Sequence, residues 1–134
     1  MSDPSYPAPA AAAEDRVLPA IVYGLFLIGP SNGLTVLIGL IIAYASMGAA
    51  GPKVRSHYVF QIRTFWTCVV WALIGAAVVG MGGILLIVLI GYPIMYLGTA
   101  ILGLAGVWFF VRSIVGAVYL AQDVAYPRPR SWLL

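Results

Sequence analysis

One stretch of the sequence limits the possible folds more than any other feature. The 48 residues from Thr64 to Val111 contain no Asp, Glu, Lys or Arg. A further 36 residues without charge separate Arg16 from Lys53. A helix crosses the hydrocarbon core of a bilayer with about 20 apolar residues. The longer stretch therefore has room for two crossings, and the shorter one for one long crossing or two cramped ones.

The composition agrees with a lipid environment. Of the 134 residues, 63% are hydrophobic and 8% are charged, whereas soluble domains carry roughly 25% charged residues. A soluble domain of this size buries only about two-thirds of the surface that its unfolded chain exposes. The remaining apolar surface would form patches that associate, so we expect the phospholipid bilayer to be the first partner of this chain.

The first apolar segment, residues 17–47, is interrupted by the sequence GPSNG at residues 29–33. Proline and glycine at this point disfavour a continuous helix. Each half is too short for an upright crossing at about 1.5 Å per residue. We predict an all-α, polytopic helical membrane protein with three long transmembrane helices, the first of them kinked at GPSNG. The alternative has four crossings, including a short hairpin whose irregular backbone is covered by protein.

The remaining segments follow from turn signals. The second helix is predicted to begin near Ser56, which acts as its N-cap, and the third to run from about Pro93 to Ala121, because proline suits the first turn of a helix. This gives three regions: a disordered N-terminal tail over residues 1–16, a helical transmembrane domain over 17–121 and a cytoplasmic C-terminal tail over 122–134.

Basic residues predict the orientation. Six of the seven Lys and Arg residues fall into two groups, one around the connector before the second helix and one towards the end of the chain: Lys53, Arg55 and Arg63, then Arg112, Arg128 and Arg130. The seventh, Arg16, lies in the N-terminal tail, whose charges sum to −2. With three crossings, both groups lie on one side, and the acidic N-terminal tail lies on the other with the uncharged loop. The positive-inside rule makes the basic side cytoplasmic. With four crossings, the N-terminal tail joins the basic side.

A polar stripe opens the second helix. His57, Gln61, Thr64 and Cys68 share one helical face, with Arg63 and Trp66 beside it. We expect this face to lie at the lipid headgroups, where water and phosphate satisfy it, with the aromatic residues forming an interfacial belt. One alternative is a polar seam that packs against another helix or a partner subunit. Another is a proton-relay role for His57.

Arg112 lies about ten residues before the predicted end of the third helix. An arginine at this depth costs several kcal/mol unless it reaches the surface or finds partners. We expect its side chain to snorkel towards the headgroups. The alternative is a buried contact with polar groups such as Gln61 or Thr64, with an anionic lipid or with a partner.

Small residues at a spacing of four predict helix packing. They are Gly39 and Ala43 in the first segment, Ala72, Ala76 and Gly80 in the second helix, and Thr99 and Gly103 in the third. We expect packing within the monomer. The alternative is self-association or docking to a larger membrane complex.

The sequence predicts no catalytic, cofactor or metal site. A single histidine and a single cysteine do not build a protein-only metal site. The sequence GMGG at residues 80–83 lacks the pattern of a phosphate-binding loop. Nucleic acid is not an expected partner either, because the chain has no water-exposed basic surface of the kind that binds it.

Two stretches carry a resemblance to a known family. SHYVFQIRTFW, which follows the basic connector, and the ending GAVYLAQDVAYPRPRSWLL resemble a bacterial family of small integral-membrane proteins of uncharacterised function, grouped with Tic-translocon-like proteins of the chloroplast inner envelope. The resemblance covers about residues 17–134. The positions of the family motifs correspond in this sequence to His57, Phe60, Gln61, Tyr126 and Pro127. This chain has Val59 where many members have asparagine.

The resemblance implies a multi-pass protein of the bacterial inner membrane, and the positive-inside rule predicts a cytoplasmic C-terminus. We expect a non-enzymatic accessory or scaffold subunit that acts through helix packing and a cytoplasmic basic-aromatic face. The chloroplast relatives are proposed parts of a protein-conducting channel, so the alternative is an oligomeric transport or translocation component. The candidate interaction or lipid-headgroup residues are His57, Gln61, Arg63, Thr64, Trp66, Arg112, Tyr126 and Pro127.

Overall fold

The computed structural model describes residues 14–132, and every regular element in that part of the chain is helical. The all-α prediction is therefore confirmed. The four α-helices are α1 (Val17–Ile28), α2 (Leu34–Met47), α3 (Pro52–Ile84) and α4 (Gly91–Ala121). Short 3-10 turns, Gly29–Ser31 and Leu85–Val88, follow α1 and α3. Most of the N-terminal tail that was predicted to be disordered, residues 1–13, lies outside the described residues.

The helices α1 and α2 fold back on each other as a hairpin, so the predicted kinked crossing is wrong. A Cβ atom on Gly39 of α2 would lie 3.0 Å from the ring of Phe26 in α1. Leu18, near the start of α1, and Ser46, near the end of α2, line the same surface hollow. Gly33 makes the reversal possible with a φ of 68°, which side chains rarely tolerate. The contact between Phe26 and Gly39 then keeps the two short helices together.

Because of this hairpin, the start of the described chain lies beside the start of α3 and the end of α4. The Glu14 carboxylate accepts hydrogen bonds from the backbone N–H groups of Lys53 (3.3 Å) and Val54 (2.7 Å). Arg16 Nε lies 3.6 Å from an Asp123 oxygen. We call this part of the molecule the charged end. The three-crossing placement of the acidic N-terminal residues opposite the connector is therefore wrong for the described acids.

The helix α3 begins at Pro52, one turn before the predicted start at Ser56. Proline suits this first position, because its missing N–H would have no helical partner there. The next free N–H groups bond to Glu14, a residue from a distant part of the chain. Ser56 lies inside the helix, and its hydroxyl donates to the Lys53 carbonyl at 2.6 Å. The cap therefore comes from a tertiary contact.

The helices α3 and α4 form an antiparallel pair whose backbones approach at glycines. Gly75 lies opposite Gly98, and a Cβ atom on Gly98 would lie 2.7 Å from the backbone nitrogen of Val79. Farther from the charged end, a Cβ atom on Gly82 would lie 2.7 Å from the backbone nitrogen of Met95. Only glycine leaves room for backbones at this separation.

The predicted stripe of small residues is not the α3–α4 contact. Ala76, Gly80, Thr99 and Gly103 are exposed and Ala72 is half-buried, so packing within the monomer is wrong for the four exposed residues. The contact instead repeats every seven residues, at Gly75 and Gly82 of α3 and at Gly91, Gly98 and Ala105 of α4. Two long helices that pack side by side keep a repeat of seven in contact, whereas a repeat of four moves around the helix. Packing of the exposed stripe against another chain stays a prediction.

Two helical stretches, Pro52–Val88 and Gly91–Ala121, are long and apolar enough to cross a membrane. This criterion is based on length and composition, and core helices of soluble proteins also meet it when they are mostly buried. In the most apolar 18 residues of each stretch, 11% are buried in Pro52–Val88 and 17% in Gly91–Ala121. Their large hydrophobic side chains therefore point outward over most of the length.

Gly98→Ala is expected to destabilise the helix pair, because the added methyl group meets the α3 backbone. The cost of such overpacking is about 1–3 kcal/mol. Gly103→Ala is the matched control, since a Cβ atom there meets no atom within 4 Å; its higher helix propensity adds up to about 1 kcal/mol of stability. Unfolding in mixed detergent micelles, followed by circular dichroism, measures both. Equal stability of the two variants would contradict the glycine contact.

Candidate functional site

The polar stripe of α3 is buried inside the protein. His57 and Gln61 are 0% exposed and Thr64 is 1% exposed, because α1, α4 and the C-terminal tail cover this face. The prediction that water and lipid headgroups satisfy these three residues is therefore wrong, and the alternative of a polar seam between helices is what the structure shows. Cys68, the next residue of the stripe, is half-buried. The seam thus ends where the apolar part of α3 begins.

Arg112 of α4 reaches into this seam and is 1% exposed. Its Nε donates to the Thr64 hydroxyl oxygen at 2.9 Å, and its Nη1 donates to the Ser131 carbonyl at 3.0 Å. The predicted snorkelling is therefore wrong, and the alternative of a contact with Thr64 is confirmed. Thr64 itself donates to the Phe60 carbonyl at 2.7 Å. Its hydroxyl thus connects the guanidinium to the backbone of α3.

Aromatic rings complete the surroundings of the guanidinium. Arg112 Cζ lies 4.1 Å from the ring centroid of Phe60 and 4.8 Å from that of Trp108. The quadrupole of each ring attracts the cation, and this attraction is stronger where water is excluded. Phe60 in turn stacks on Tyr126, with ring centroids 3.7 Å apart. The charge is therefore held by α3, α4 and the tail together.

His57 links three parts of the chain. Its Nε2 lies 2.8 Å from the Val124 carbonyl, and its Nδ1 lies 3.1 Å from the Tyr23 hydroxyl. A carbonyl can only accept, so we assign the proton to Nε2, and Nδ1 then accepts from Tyr23. In this tautomer the imidazole is neutral and both of its nitrogens are used. The histidine thereby joins α1 and the tail to α3.

Gln61 and Tyr23 hold α1 against the long helices. Gln61 Nε2 donates to the Pro19 carbonyl at 3.1 Å. Its Oε1 is buried and lacks a hydrogen-bond partner in the described chain, an arrangement that costs about 1–3 kcal/mol. The ring of Tyr23 lies where a side chain on Gly116 would be, because a Cβ atom there would lie 2.5 Å from Tyr23 Cζ.

The C-terminal tail returns to this network after a tight turn. Asp123, with a φ of 57°, ends α4, and the Val124 N–H reaches back to the Tyr119 carbonyl at 3.1 Å. This pattern is a Schellman-type cap. The Tyr126 N–H then donates to the Ser56 hydroxyl at 2.9 Å. The turn brings the Val124 carbonyl to His57 and the Tyr126 ring to Phe60.

Two ionisable groups of the tail have shifted pKa values. The hydrogen bond from Lys53 lowers the pKa of the exposed Asp123 carboxyl, and the charges of Lys53 and Arg16 lower it further. Burial raises the pKa of Tyr126 above 10.0, the ordinary value of tyrosine. The docked tail thus favours the neutral phenol. The docking of the neutral Tyr126 phenol stabilises the fold fully at pH values below the ordinary pKa of tyrosine. This stabilisation is lost as the pH rises through the higher pKa that Tyr126 has in the folded state.

The structure separates the predicted site residues into two groups. It brings together His57, Gln61, Thr64, Arg112 and Tyr126. Outside this network, Arg63 lies with its Cζ 5.3 Å from the ring centroid of Trp132, Trp66 is exposed and donates to the Tyr44 hydroxyl at 2.8 Å, and Pro127 is exposed.

Sequence reasoning missed the partners contributed by α1 and the N-terminal residues. Tyr23 and Glu14 have clear roles in the structure, but no motif marks them. A polar aromatic residue in an otherwise apolar helix is the one signal that could have identified Tyr23.

The chemistry of this network is structural in character. Its donors and acceptors bond mainly to one another and to backbone carbonyls, and its side chains are shielded from solvent. In residues 14–132, no group of three His, Cys, Asp or Glu side chains is arranged to hold a metal ion. The network can lock four segments together.

No family model, curated protein or solved structure matches this chain. The family resemblance of the two quoted motifs stays a prediction.

Thr64→Val is expected to destabilise the protein, because it removes the hydroxyl oxygen that accepts from Arg112. A hydrogen bond to a charged group contributes about 1.5–3 kcal/mol. Thr99→Val is the matched control: its hydroxyl also donates to the carbonyl four residues earlier, at 2.9 Å, but the residue is exposed. We expect a change within about 0.5 kcal/mol there. Unfolding in mixed micelles compares them, and similar losses would argue against the buried contact.

Proposed function

We propose that this chain is a non-enzymatic membrane protein whose α3 and α4 cross the bilayer, and that it serves as an accessory or scaffold subunit. The observation that carries the proposal is the division of the molecule into two parts. In the described chain, the polar contacts that join different helices and the tail lie at or near the charged end, while the rest of α3 and α4 exposes apolar side chains.

The helix lengths support two crossings. The part of α3 without charge, Thr64–Ile84, has 21 residues, and so does the part of α4, Gly91–Val111. At about 1.5 Å per residue each is about 31 Å long, close to the hydrocarbon thickness of about 30 Å. The polar network then lies at one membrane surface.

The hairpin of α1 and α2 would enter the membrane from the charged end and return. Its turn, at Gly29 and Pro30, lines a hollow together with Ala72 and Phe109. Ala72 is eight residues beyond Thr64, so the turn reaches roughly 12 Å into the apolar layer. Its irregular backbone partly contacts protein, as a re-entrant segment requires.

The distribution of charge supports a cytoplasmic charged end. All seven Lys and Arg residues precede or follow the charge-free run from Thr64 to Val111. The antiparallel α3–α4 pair brings the residues on both sides of this run to one end, and the α1–α2 hairpin brings Arg16 there as well. The positive-inside rule then places this end, with the C-terminal tail, in the cytoplasm. With the family resemblance, this favours a bacterial inner-membrane protein.

A basic-aromatic face is available for a partner. The side of α3 opposite the buried stripe carries Arg55, Arg63 and Trp66, and the tail adds Arg128 and Arg130. We define the basic-aromatic face by these five residues. The tail is anchored by Tyr126 and Ser131, so its arginines are held near α3. Such a surface suits an acidic protein segment.

No observation favours the alternative of an oligomeric transport component over this proposal. A pathway would need the polar stripe to face an aqueous space, and His57, Gln61 and Thr64 are instead buried within a single chain.

Topology is tested with single cysteines in a Cys68→Ser background and a membrane-impermeant maleimide. In right-side-out bacterial spheroplasts we expect Tyr92→Cys, at the uncharged end, to react with the maleimide before lysis. Arg128→Cys, in the tail, should react only after lysis. The reverse pattern would overturn the proposed orientation.

The scaffold role is tested by purification in native lipid nanodiscs with quantitative mass spectrometry. We expect a stoichiometric protein partner, whose recovery falls several-fold in Arg55→Gln and in Arg128→Gln. Arg16→Gln removes the same charge at the same end but outside the basic-aromatic face, so its recovery should match that of the unchanged protein. If no partner accompanies the unchanged protein, or if all three variants behave alike, the scaffold role is wrong.

A further inference from the structure

An apolar groove lies on the outer surface between α3 and α4, next to the charged end. It has a volume of about 380 Å³, and its described walls include Trp71 of α3, Leu104 and Trp108 of α4, and Trp132 of the tail. Few polar atoms line the groove, and Thr67 is the polar residue among its described lining residues. The size is within the usual range of ligand sites, about 300–1,000 Å³.

A cation lies beside the groove where it meets the charged end. Arg63 and Trp66 line a second hollow of about 210 Å³, which shares Thr67 and Trp132 with the groove. The Arg63 guanidinium is held over the Trp132 ring. Among the described residues, no carboxylate lies within ion-pair distance of it. Arg63 can therefore offer its donors to an external anion.

The wall of the groove is fixed by the buried network. Trp108 presents its ring to the groove and also contacts the Arg112 guanidinium. Ser131, the neighbour of Trp132 in the chain, accepts a hydrogen bond from the same arginine. Arg112 thus contacts Trp108 directly and anchors the residue before Trp132. A preformed wall of this kind lowers the entropic cost of binding.

We propose that this groove binds one phospholipid with a negatively charged headgroup, a conclusion that rests on the proposed membrane insertion. Arg63 is the last charge before the apolar part of α3 and binds the phosphate through its guanidinium, which suits phosphate geometry. Trp71 lies eight residues deeper, about 12 Å along the helix axis. One acyl chain fills the groove between these levels, along Trp71, Leu104 and Trp108.

The choice of a lipid over a protein segment follows from position and charge. The groove runs from the charged end into the faces of α3 and α4 that carry exposed apolar side chains. An occupant must therefore be apolar on the membrane side and anionic at Arg63. A phospholipid has these two parts in this order.

The test uses the full chain in nanodiscs that contain equal amounts of phosphatidylglycerol and phosphatidylcholine. After transfer to a mild detergent, native mass spectrometry counts the lipids that each chain retains. We expect one phosphatidylglycerol on most chains. In Arg63→Gln that fraction should fall at least about five-fold, and Trp132→Ala should lower it as well. Arg16→Gln, an equal charge change outside the groove, should retain phosphatidylglycerol like the unchanged protein.

Three results would overturn the site. They are equal retention of the two lipids by the unchanged protein, unchanged retention in Arg63→Gln, or equal loss in Arg63→Gln and Arg16→Gln. Thermal unfolding confirms that each variant is folded; if Arg63→Gln is not, Trp132→Ala decides alone. A chain that inserts with the proposed topology but holds no selected lipid disproves this site only. A chain that is monodisperse in buffer without detergent disproves membrane insertion as well.

Discussion

The structure depends on accommodating one guanidinium where water is excluded. Arg112 is almost completely buried, and its contacts come from Thr64 and Phe60 on α3, from Trp108 on its own helix and from Ser131 in the tail. Removing a charge from water costs several kcal/mol, and only well-placed partners offset it. The α3–α4 packing and the docked tail therefore stabilise each other, and the α1–α2 hairpin covers the seam through its bonds to His57 and Gln61.

Local features of the sequence predict much of the fold. The charge-free runs give helices of the right length, and the prolines and glycines at residues 29–33 and near residue 91 mark where they end or turn. The local sequence does not determine whether α2 continues in the direction of α1 or folds back against it. The fold-back depends on a close contact between Phe26 and Gly39. The four-residue spacing of Gly39 and Ala43 predicts a packing face on α2, but it does not predict that the partner is Phe26 of α1. Likewise, the start of α3 moves to Pro52 because Glu14, far away in sequence, bonds to its first N–H groups.

The same distinction applies to the site. Helical spacing correctly groups His57, Gln61 and Thr64 on one face, but burial of that face requires Tyr23 from 34 residues before His57 and Val124 from 67 residues after it. Small residues predict close helix packing, yet a spacing of four selects the exposed Ala76 and Gly103. The real contact follows the seven-residue repeat of two long helices, and only the relative orientation of the helices shows which glycines it uses.

The link between Arg112 and Ser131 has a consequence for the biogenesis of the protein. A chain is synthesised from its N-terminus, so Arg112 leaves the ribosome before the carbonyl group that will bind it, 19 residues later, exists. In the proposed membrane topology, the guanidinium remains hydrated at the membrane surface during that interval or relies on Thr64 and the neighbouring rings. In that topology, α4 reaches its final position only after the tail has been synthesised, and a nascent chain arrested just after α4 would lack the contact between Arg112 and Ser131.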